Sequence, residues 1–386
     1  MSVFDILGKH FPNEDMQPCL DTLIPWPWVC REGRRVGNVL CDLNMHDGTP
    51  DLTSPRQLMK AQLDTLRDRH GLLFKSAFEY EFNVFKEGTL EHLGGENMQC
   101  WDVRIWAQHQ DLFCDLTDVL ETMGVEVSSL MPELPPGQWE ITTEPQEGVR
   151  GGDVAFYVKN AVKGFFQTRG YCATFMSMPT MEFMGTGLHL NHSLWTHDDD
   201  GQRNAMLDEG EPDKLSRTAR HWLAGLLTHA PAITALCCPT LNCYRRLFHL
   251  GAPGPVTWGV DDRNSLIRVR NARDNVFLEN RLPSGPCSPY LAIAATVAAG
   301  LDGLQRELPC PEAMAVEPAG QLPKTLEQAL DSLEKDQELR ALLGDRFVGC
   351  YIKSKRDIDV QLYKNAELIT EEKQLEFERK MYMKGL

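Results

Sequence analysis

The chain has no apolar run long enough to span a membrane and no secretory leader, so the expected location is the reducing cytoplasm, away from any membrane. Positive charge is scarce: 39 lysines and arginines stand against 55 acidic residues, a formal charge of -16. Such a surface repels nucleic acid and anionic membranes, although a local basic pocket for nucleotide phosphates stays open. No CxxC pair occurs, and the twelve cysteines do not make a dense disulfide framework; buried free thiols account for them. Phosphate-binding loops are missing too. GAPGPV (251–256) lacks the terminal Gly-Lys-Ser/Thr of a Walker A element, and no persuasive GxGxxG site is found. Internal repeats and low-complexity tracts are absent.

What is present is material for a core: 42% of the 386 residues are hydrophobic, enough for one large domain or two. MSVFDILGKHF (1–11) reads as a short helix, while the prolines of DTLIPWPWVC (21–30) interrupt helix and central strand alike. A strand is expected at Asn38 to Leu43, then the turn MHDGTP, then a helix opening near Ser54 and Pro55 and stopping at Gly71. After the strand FEYEF (78–82), AFYVKNAVKGFFQTRG (155–170) reads as a helix with Phe156, Val162 and Phe165 on its apolar face. Strands follow from Tyr171 and at LHLNHSL (188–194), and a helix starts near Ser216, with Pro231 near its end. SLIRVR (265–270) and NVFLENR (275–281) read as strands, and PYLAIAATVAAGLDGL (289–304) as a buried helix. Thr325 caps one further helix that stops at Gly344. This alternation supports an α+β fold.

In FEYEFNVF (78–85), side chains alternate across the strand, so Phe78, Tyr80, Phe82 and Val84 share one face and Glu79 and Glu81 the other. Two neighbouring carboxylates repel. A solvated sheet face, a metal or substrate cleft, or simple salt bridging would each explain them. ELPPGQWE (133–140) turns at Pro-Pro-Gly and can bring Glu133 and Glu140 to one cleft, or it is a surface loop. His189 and Asn191 share a strand face, where a core or surface histidine is the plainer alternative. Glu279 and Arg281 also share a face, with an ion pair as the ordinary reading. Together Glu79, Glu81, Glu133, Glu140, Glu279 and His189 could serve two hard cations, water and phosphate completing their shells. Tyr244, Arg245 and Arg246 precede GAPGPV, and Arg263, Arg268 and Arg270 follow it. Such guanidinium groups can fork onto phosphate or carboxylate, or hold the structure together.

The ordered set of FEYEF, ELPPGQWE, GTGLHLNHSLW, NCYRRL, WGVDDRNSLIRV and ENRLPSGPCSPYLAIAATVAAGLDG resembles the glutamine synthetase superfamily over roughly residues 35 to 345. The resemblance implies a catalytic domain with a curved antiparallel sheet and helices packed outside it. It implies that Glu81, Glu133 and Glu140 ligate one Mg²⁺ or Mn²⁺, and Glu79, His189 and Glu279 a second. Arg246 and Arg281 are then glutamate-side or transferred-phosphate contacts, Arg263 and Arg268 nucleotide-phosphate contacts, and Gly185 and Gly187 the close-approach part of the substrate loop. Asn191 stands where bacterial members often carry a second histidine near ATP. The implied chemistry is transfer of the ATP γ-phosphate to the glutamate side chain, followed by attack of ammonia or an amine.

Three departures accompany the likeness. Met184 stands where the family presents an asparagine to glutamate, GAPGPV lacks the flap glutamate, and residues 1–35 are expected to supply little of the family's small N-terminal β-grasp domain. The expected division is a residual N-terminal or linker segment at 1–35 and a catalytic-type domain with a helical tail at 36–386. Family membership further implies a homo-oligomer of stacked rings. The tail TLEQALDSLEKDQELRALLG (325–344) resembles a branch of the family used in a structural role. A noncatalytic scaffold with an intermediate-filament or other cytoskeletal partner is therefore the alternative to a ligase.

Overall fold

The computed structural model describes residues 15–29, 33–99, 101–198, 201–249, 255–271, 275–314, 320–366 and 370–384. The helix expected at 1–11 lies outside the described residues, as do 251–254 of GAPGPV. Four short strands come first: β1 (Asp15–Pro18), β2 (Ile24–Pro25), β3 (Gly37–Asn38) and β4 (Cys41–Asn44). β1 pairs with β4 and β2 with β3, with 3-10 turns at Leu20–Thr22 and Pro27–Val29 beside them. Helix α1 (Pro55–His70) has proline in its first turn and ends where Gly71 takes a left-handed φ of 64°, both as expected.

Strand β5 (Leu73–Lys86) organises the rest of the domain, because its alternating burial separates a dry face from a polar one. Phe74, Phe78, Tyr80, Phe82 and Val84 are buried, whereas Lys75, Ala77, Glu79 and Glu81 remain partly open. The main sheet runs in the order β12 (Trp258–Val260), β13 (Ile267–Arg270), β14 (Phe277–Asn280), β10 (Leu188–Asp198), β5, β7 (Gln138–Thr143) and β6 (Val127–Pro132). β8 (Gln146–Glu147) and β9 (Tyr171–Thr174) also pair with β5, and β11 (Gly201–Asn204) with β10. Every pairing is antiparallel except β12 with β13, which makes the sheet mixed at that edge. Helices α2 (Val103–Thr122), α3 (Val149–Gln167), α4 (Arg217–Cys237), the one-turn α5 (Cys243–Arg246) and α6 (Pro289–Gln305) interleave with the strands. The core joins Phe82 to Phe166 and Phe175, and stacks Phe113 on Trp139. None of the described helices is long and apolar enough to cross a membrane, and the described cysteines are free thiols.

Some boundaries differ from the sequence pattern. α3 starts at Val149 rather than near 155, through two glycines that would ordinarily weaken a helix. Packing requires them: a Cβ on Gly151 would lie 2.3 Å from Ser76 Oγ, and one on Gly152 2.7 Å from the Tyr290 ring. The helix α4 continues through Pro231 to Cys237. The single helix expected at 325–344 is two, α7 (Leu326–Lys335) and α8 (Gln337–Leu343). Asp336 breaks it, because its backbone is extended and one carboxylate oxygen accepts from Leu339 N at 3.0 Å. The other oxygen lies 2.6 Å from His229 Nδ1, while His229 Nε2 is 2.9 Å from Asp302. The tail then forms α9 (Asp345–Lys355), a π-helical turn over Arg356–Val360, α10 (Gln361–Asn365) and α11 (Glu371–Tyr382).

Glycine also sets the approach of α4 to α6. A Cβ on Gly225 would meet Ala299 O at 2.1 Å, and one on Gly303 would meet His221 O at 2.1 Å. Gly225→Ala should therefore lower unfolding stability by about 1–3 kcal/mol in urea titrations. Gly349→Ala, on an exposed turn of α9 with open space around it, should raise stability by roughly 1 kcal/mol. Burial opposes charge on His229, but its bonds to Asp336 and Asp302 outweigh that and raise its pKa above the ordinary 6.5. A raised histidine stabilises fully below its unfolded value, and the gain disappears as pH rises through the folded value. The stability advantage of the native chain over His229→Gln should accordingly be largest at pH 6 and shrink on going above neutrality.

Candidate functional site

Strand register assembles the polar face. Glu79 lies across from His189 on β10 and Thr142 on β7, and Glu81 across from Glu140 on β7. Glu279 of β14 lies across from Asn191 on one side and Arg268 on the other. Glu133 follows the last residue of β6, where its carboxylate accepts from Leu134 N at 2.9 Å. All six side chains expected as ligands, Glu79, Glu81, Glu133, Glu140, His189 and Glu279, line a cleft of about 430 Å³. Arg246, Arg263, Arg268, Arg270 and Arg281 line it as well. FEYEF thus faces a cleft and not open solvent: the side chains of Glu79 and Glu81 are 25% and 12% exposed.

Three ligand atoms converge, since Glu79, His189 and Glu279 each offer one within 4.8 Å of the others. His189 Nδ1 is 3.0 Å from Glu79 and 3.5 Å from Glu279, and its Nε2 is 3.9 Å from Glu81. Asn191 donates to Glu79 at 2.9 Å and Gly187 N to Glu81 at 2.6 Å. Glu279 receives Arg281 at 2.5 Å and Arg268 at 3.0 Å, so the ordinary ion pair and the cleft coexist. Arg246 is buried behind His189, donating toward its Nε2 at 3.3 Å and to Ser284 at 3.3 Å. Arg263 stands exposed at the rim.

The loop at 185–187 needs its glycines for proximity. A Cβ on Gly185 would fall 2.8 Å from Arg246 and one on Gly187 2.8 Å from both Arg246 and His189. Met184, which precedes them, lines the cleft. A second cleft of about 340 Å³ adjoins the first through Glu79, Thr142, Arg268, Arg270 and Glu279, and reaches Asn191 and Ser193.

The charges are only partly matched. Burial opposes ionisation of Glu79, but His189, Asn191 and Arg281 hold its pKa down at about 2. Burial, then repulsion from Glu79, Glu81, Glu133 and Glu279, pushes Glu140 up to about 10. Glu133 is raised too, by burial and then by Glu81. Carboxylate oxygens with one imidazole are the donor set of a hard or borderline divalent cation, whose charge would reverse the strain on Glu140 and Glu133. Nε of Arg268 and of Arg281 are buried without a hydrogen-bond partner, so the cleft also keeps donors available to an anion.

Several participants escaped the sequence reading. Gln138 donates to Gly185 O at 3.4 Å and Thr186 at 3.2 Å; its two-residue spacing from Glu140 was the available signal. Trp101, Met131 and Thr142 line the cleft with no comparable signal. Arg245 turns away from the cleft, pairing with Glu378 of α11 at 2.8 Å, and Glu378 also accepts from Asn242 at 2.8 Å. Asn242 in turn bonds Met178 N and O, so α11 braces both the segment bearing Arg246 and the chain beneath Gly185. His192 lies on the dry face, accepting from Trp222 Nε1 at 3.0 Å.

A family model for the glutamine synthetase catalytic domain matches residues 52–378. Human lengsin is 34% identical over 354 residues, which are 88% of this chain and 67% of lengsin; the chain spans 59% of the dog protein's length. Glutamine synthetase of Methanocaldococcus jannaschii is 32% identical over 372 residues, covering 92% of this chain and 81% of that enzyme. Among solved structures, GmaS in complex with ADP superposes with a TM-score of 0.83 at 28% identity, covering 95% of this chain and 85% of GmaS.

The repulsion at Glu140 is measurable. A carboxyl whose folded pKa lies above the unfolded value of 4.5 destabilises the fold as pH rises past that value. Glu140→Gln should raise the Tm of metal-free protein at pH 7.5 by about 2–4 °C, and the difference should vanish near pH 4. Added Mn²⁺ should stabilise the native chain more than the variant.

Proposed function

The chain belongs to the glutamine synthetase family, and from that membership we propose an ATP-dependent ligase that joins the side-chain carboxylate of glutamate to ammonia or an amine. The carrying observation is the convergence of five carboxylates, His189 and the arginines on one cleft, with oxygen donors and unbonded guanidinium nitrogens side by side. Glu81, Glu133 and Glu140 would hold one Mg²⁺ or Mn²⁺, and Glu79, His189 and Glu279 the other. Bound there, the ions would supply positive charge to the phosphate oxygens.

The remaining work falls to the chain. Arg263 and Arg268 would bind the ATP phosphates, with Asn191 beside the nucleotide in the adjoining cleft; that GmaS, a similar fold, is solved as a complex with ADP supports nucleotide binding by this chain. A glutamate carboxylate oxygen bonds to the γ-phosphorus as the bond to the bridging oxygen breaks and ADP departs. The amine nitrogen then bonds to the acyl carbon, phosphate leaves with its electron pair, and the nitrogen's extra proton departs with it. Arg281 would stabilise charge on the transferred phosphoryl group, and Arg246 would orient the acid together with the close approach at Gly185 and Gly187. The protein would act as a homo-oligomer, in the cytoplasm.

A second reading, a lengsin-like noncatalytic scaffold with a filament or other cytoskeletal partner, is favoured by Met184. Its side chain cannot give the hydrogen bonds of the amide that the family presents at this position.

The test is direct detection of the amide after incubating purified protein with glutamate, ATP, Mg²⁺ or Mn²⁺ and a panel of amines. Arg281→Ala should lower product formation about 10²–10³-fold while assembly mass and circular dichroism stay unchanged. A folded oligomer that binds ADP yet makes no amide with any amine would favour the scaffold, and a filament partner retained by Glu81→Ala would establish it.

A further inference from the structure

The two adjoining clefts define an axis. Asn191 and Ser193 line only the outer one, and Glu79, Thr142, Arg268, Arg270 and Glu279 line both. Arg246, Arg281, Gly185, Trp101, Met131 and Met184 line only the inner one. With the nucleotide beside Asn191 in the outer cleft and its phosphates reaching Arg268, which lines both clefts, and Arg263, which lines the inner one, the reacting carboxyl group lies toward the inner end, and whatever the acid or the amine carries meets the inner wall. That wall holds three large apolar side chains in a cleft otherwise lined mostly by charged and polar groups.

We propose that the inner end of the cleft recognises an apolar group, alkyl or aromatic, carried by the amine or by the carboxylic acid, through Trp101, Met131 and Met184. Trp101 is 55% exposed and has a φ of 58°, a left-handed conformation that bulky side chains avoid. The backbone turn that carries it is nevertheless held on its C-terminal side. Asp102 N donates to Gln99 O at 2.8 Å, and the Asp102 carboxylate caps α2 by accepting from Arg104 N at 2.8 Å. An exposed indole held in strain at a cleft lip has the hallmark of a binding surface.

Met131 lies across from Glu140 in the β6–β7 register, which brings a thioether beside the carboxylates. Met184 sits immediately before the glycine that lets Arg246 approach. Methionine adapts to irregular apolar shapes and packs well on aromatic rings. The polar head of free glutamate, or ammonia alone, would leave this surface unmatched and would give up water against Met184 without a hydrogen bond in return.

The chemistry of this inference rests on the ligase reading, but the binding does not, and the test separates them. With the full chain, ATP and Mn²⁺, one arm offers glutamate with ammonia, methylamine, butylamine or benzylamine. The other offers ammonia with glutamate, glutarate or 4-phenylbutyrate. The expected result is a kcat/KM for an apolar amine or acid at least roughly tenfold above that for ammonia with glutamate. Trp101→Ala and Met184→Asn should erase that advantage with ADP affinity unchanged, and the arm showing it identifies which substrate carries the group. A preference for ammonia with glutamate that Trp101→Ala leaves alone overturns the proposal. If no combination yields amide, the ligase reading falls, and calorimetric titration with benzylamine and 4-phenylbutyrate decides. Binding that Trp101→Ala weakens upholds the apolar site; absence of binding by both removes it.

Discussion

The pairing of β5 with β10 and β7 fixes core and cleft together, since the same backbone hydrogen bonds that bury Phe78, Tyr80 and Phe82 also set Glu79 beside His189 and Glu81 beside Glu140. A slip of one residue would exchange the two faces, driving carboxylates into the aromatic core and phenylalanines into the cleft. The dry face is therefore what holds the polar face in register. Repulsion among the acids works against the fold locally, but it is opposed by the whole layer of packed rings and helices behind the sheet.

Arginine relieves that repulsion unevenly. Glu279 is held by Arg268 and Arg281, and Glu79 by His189 and Asn191. Glu140 stays crowded by four other acids, and the cleft is consequently most unbalanced around Glu140 and Glu133, whose carboxyls are both pushed up by burial and by neighbouring acids. An oxygen-rich cluster with its counter-charge on one side only is suited to taking up a cation.

The local pattern made much of this legible. Ser54, Pro55 and Gly71 marked α1, and the period of two in FEYEFNVF marked both faces of β5. The order of motifs brought together residues that spacing alone could not. Other features depended on distant partners. Asp336 splits a helix by capping the next turn at Leu339 N, and the other oxygen of its carboxylate is held by His229, 107 residues earlier. The glycines that open α3 disguised a helix because their reason lies in Ser76 and Tyr290. α2 was missed although Phe113, Leu116 and Leu120 repeat at helical spacing, and Trp101 faces the cleft through a backbone conformation that no propensity predicts.

The brace from α11 has a bearing on biosynthesis. Arg245 leaves the ribosome 133 residues before Glu378, the carboxylate that neutralises it. Through that interval β5, β10 and β14 can already pair, yet the guanidinium beside Arg246 has no internal counter-ion from Glu378 and keeps its water. Vectorial synthesis thus delays closure of the segment beneath the cleft until α11 emerges. A nascent chain halted before α11 would carry the acidic face with its supporting arginine still unlatched.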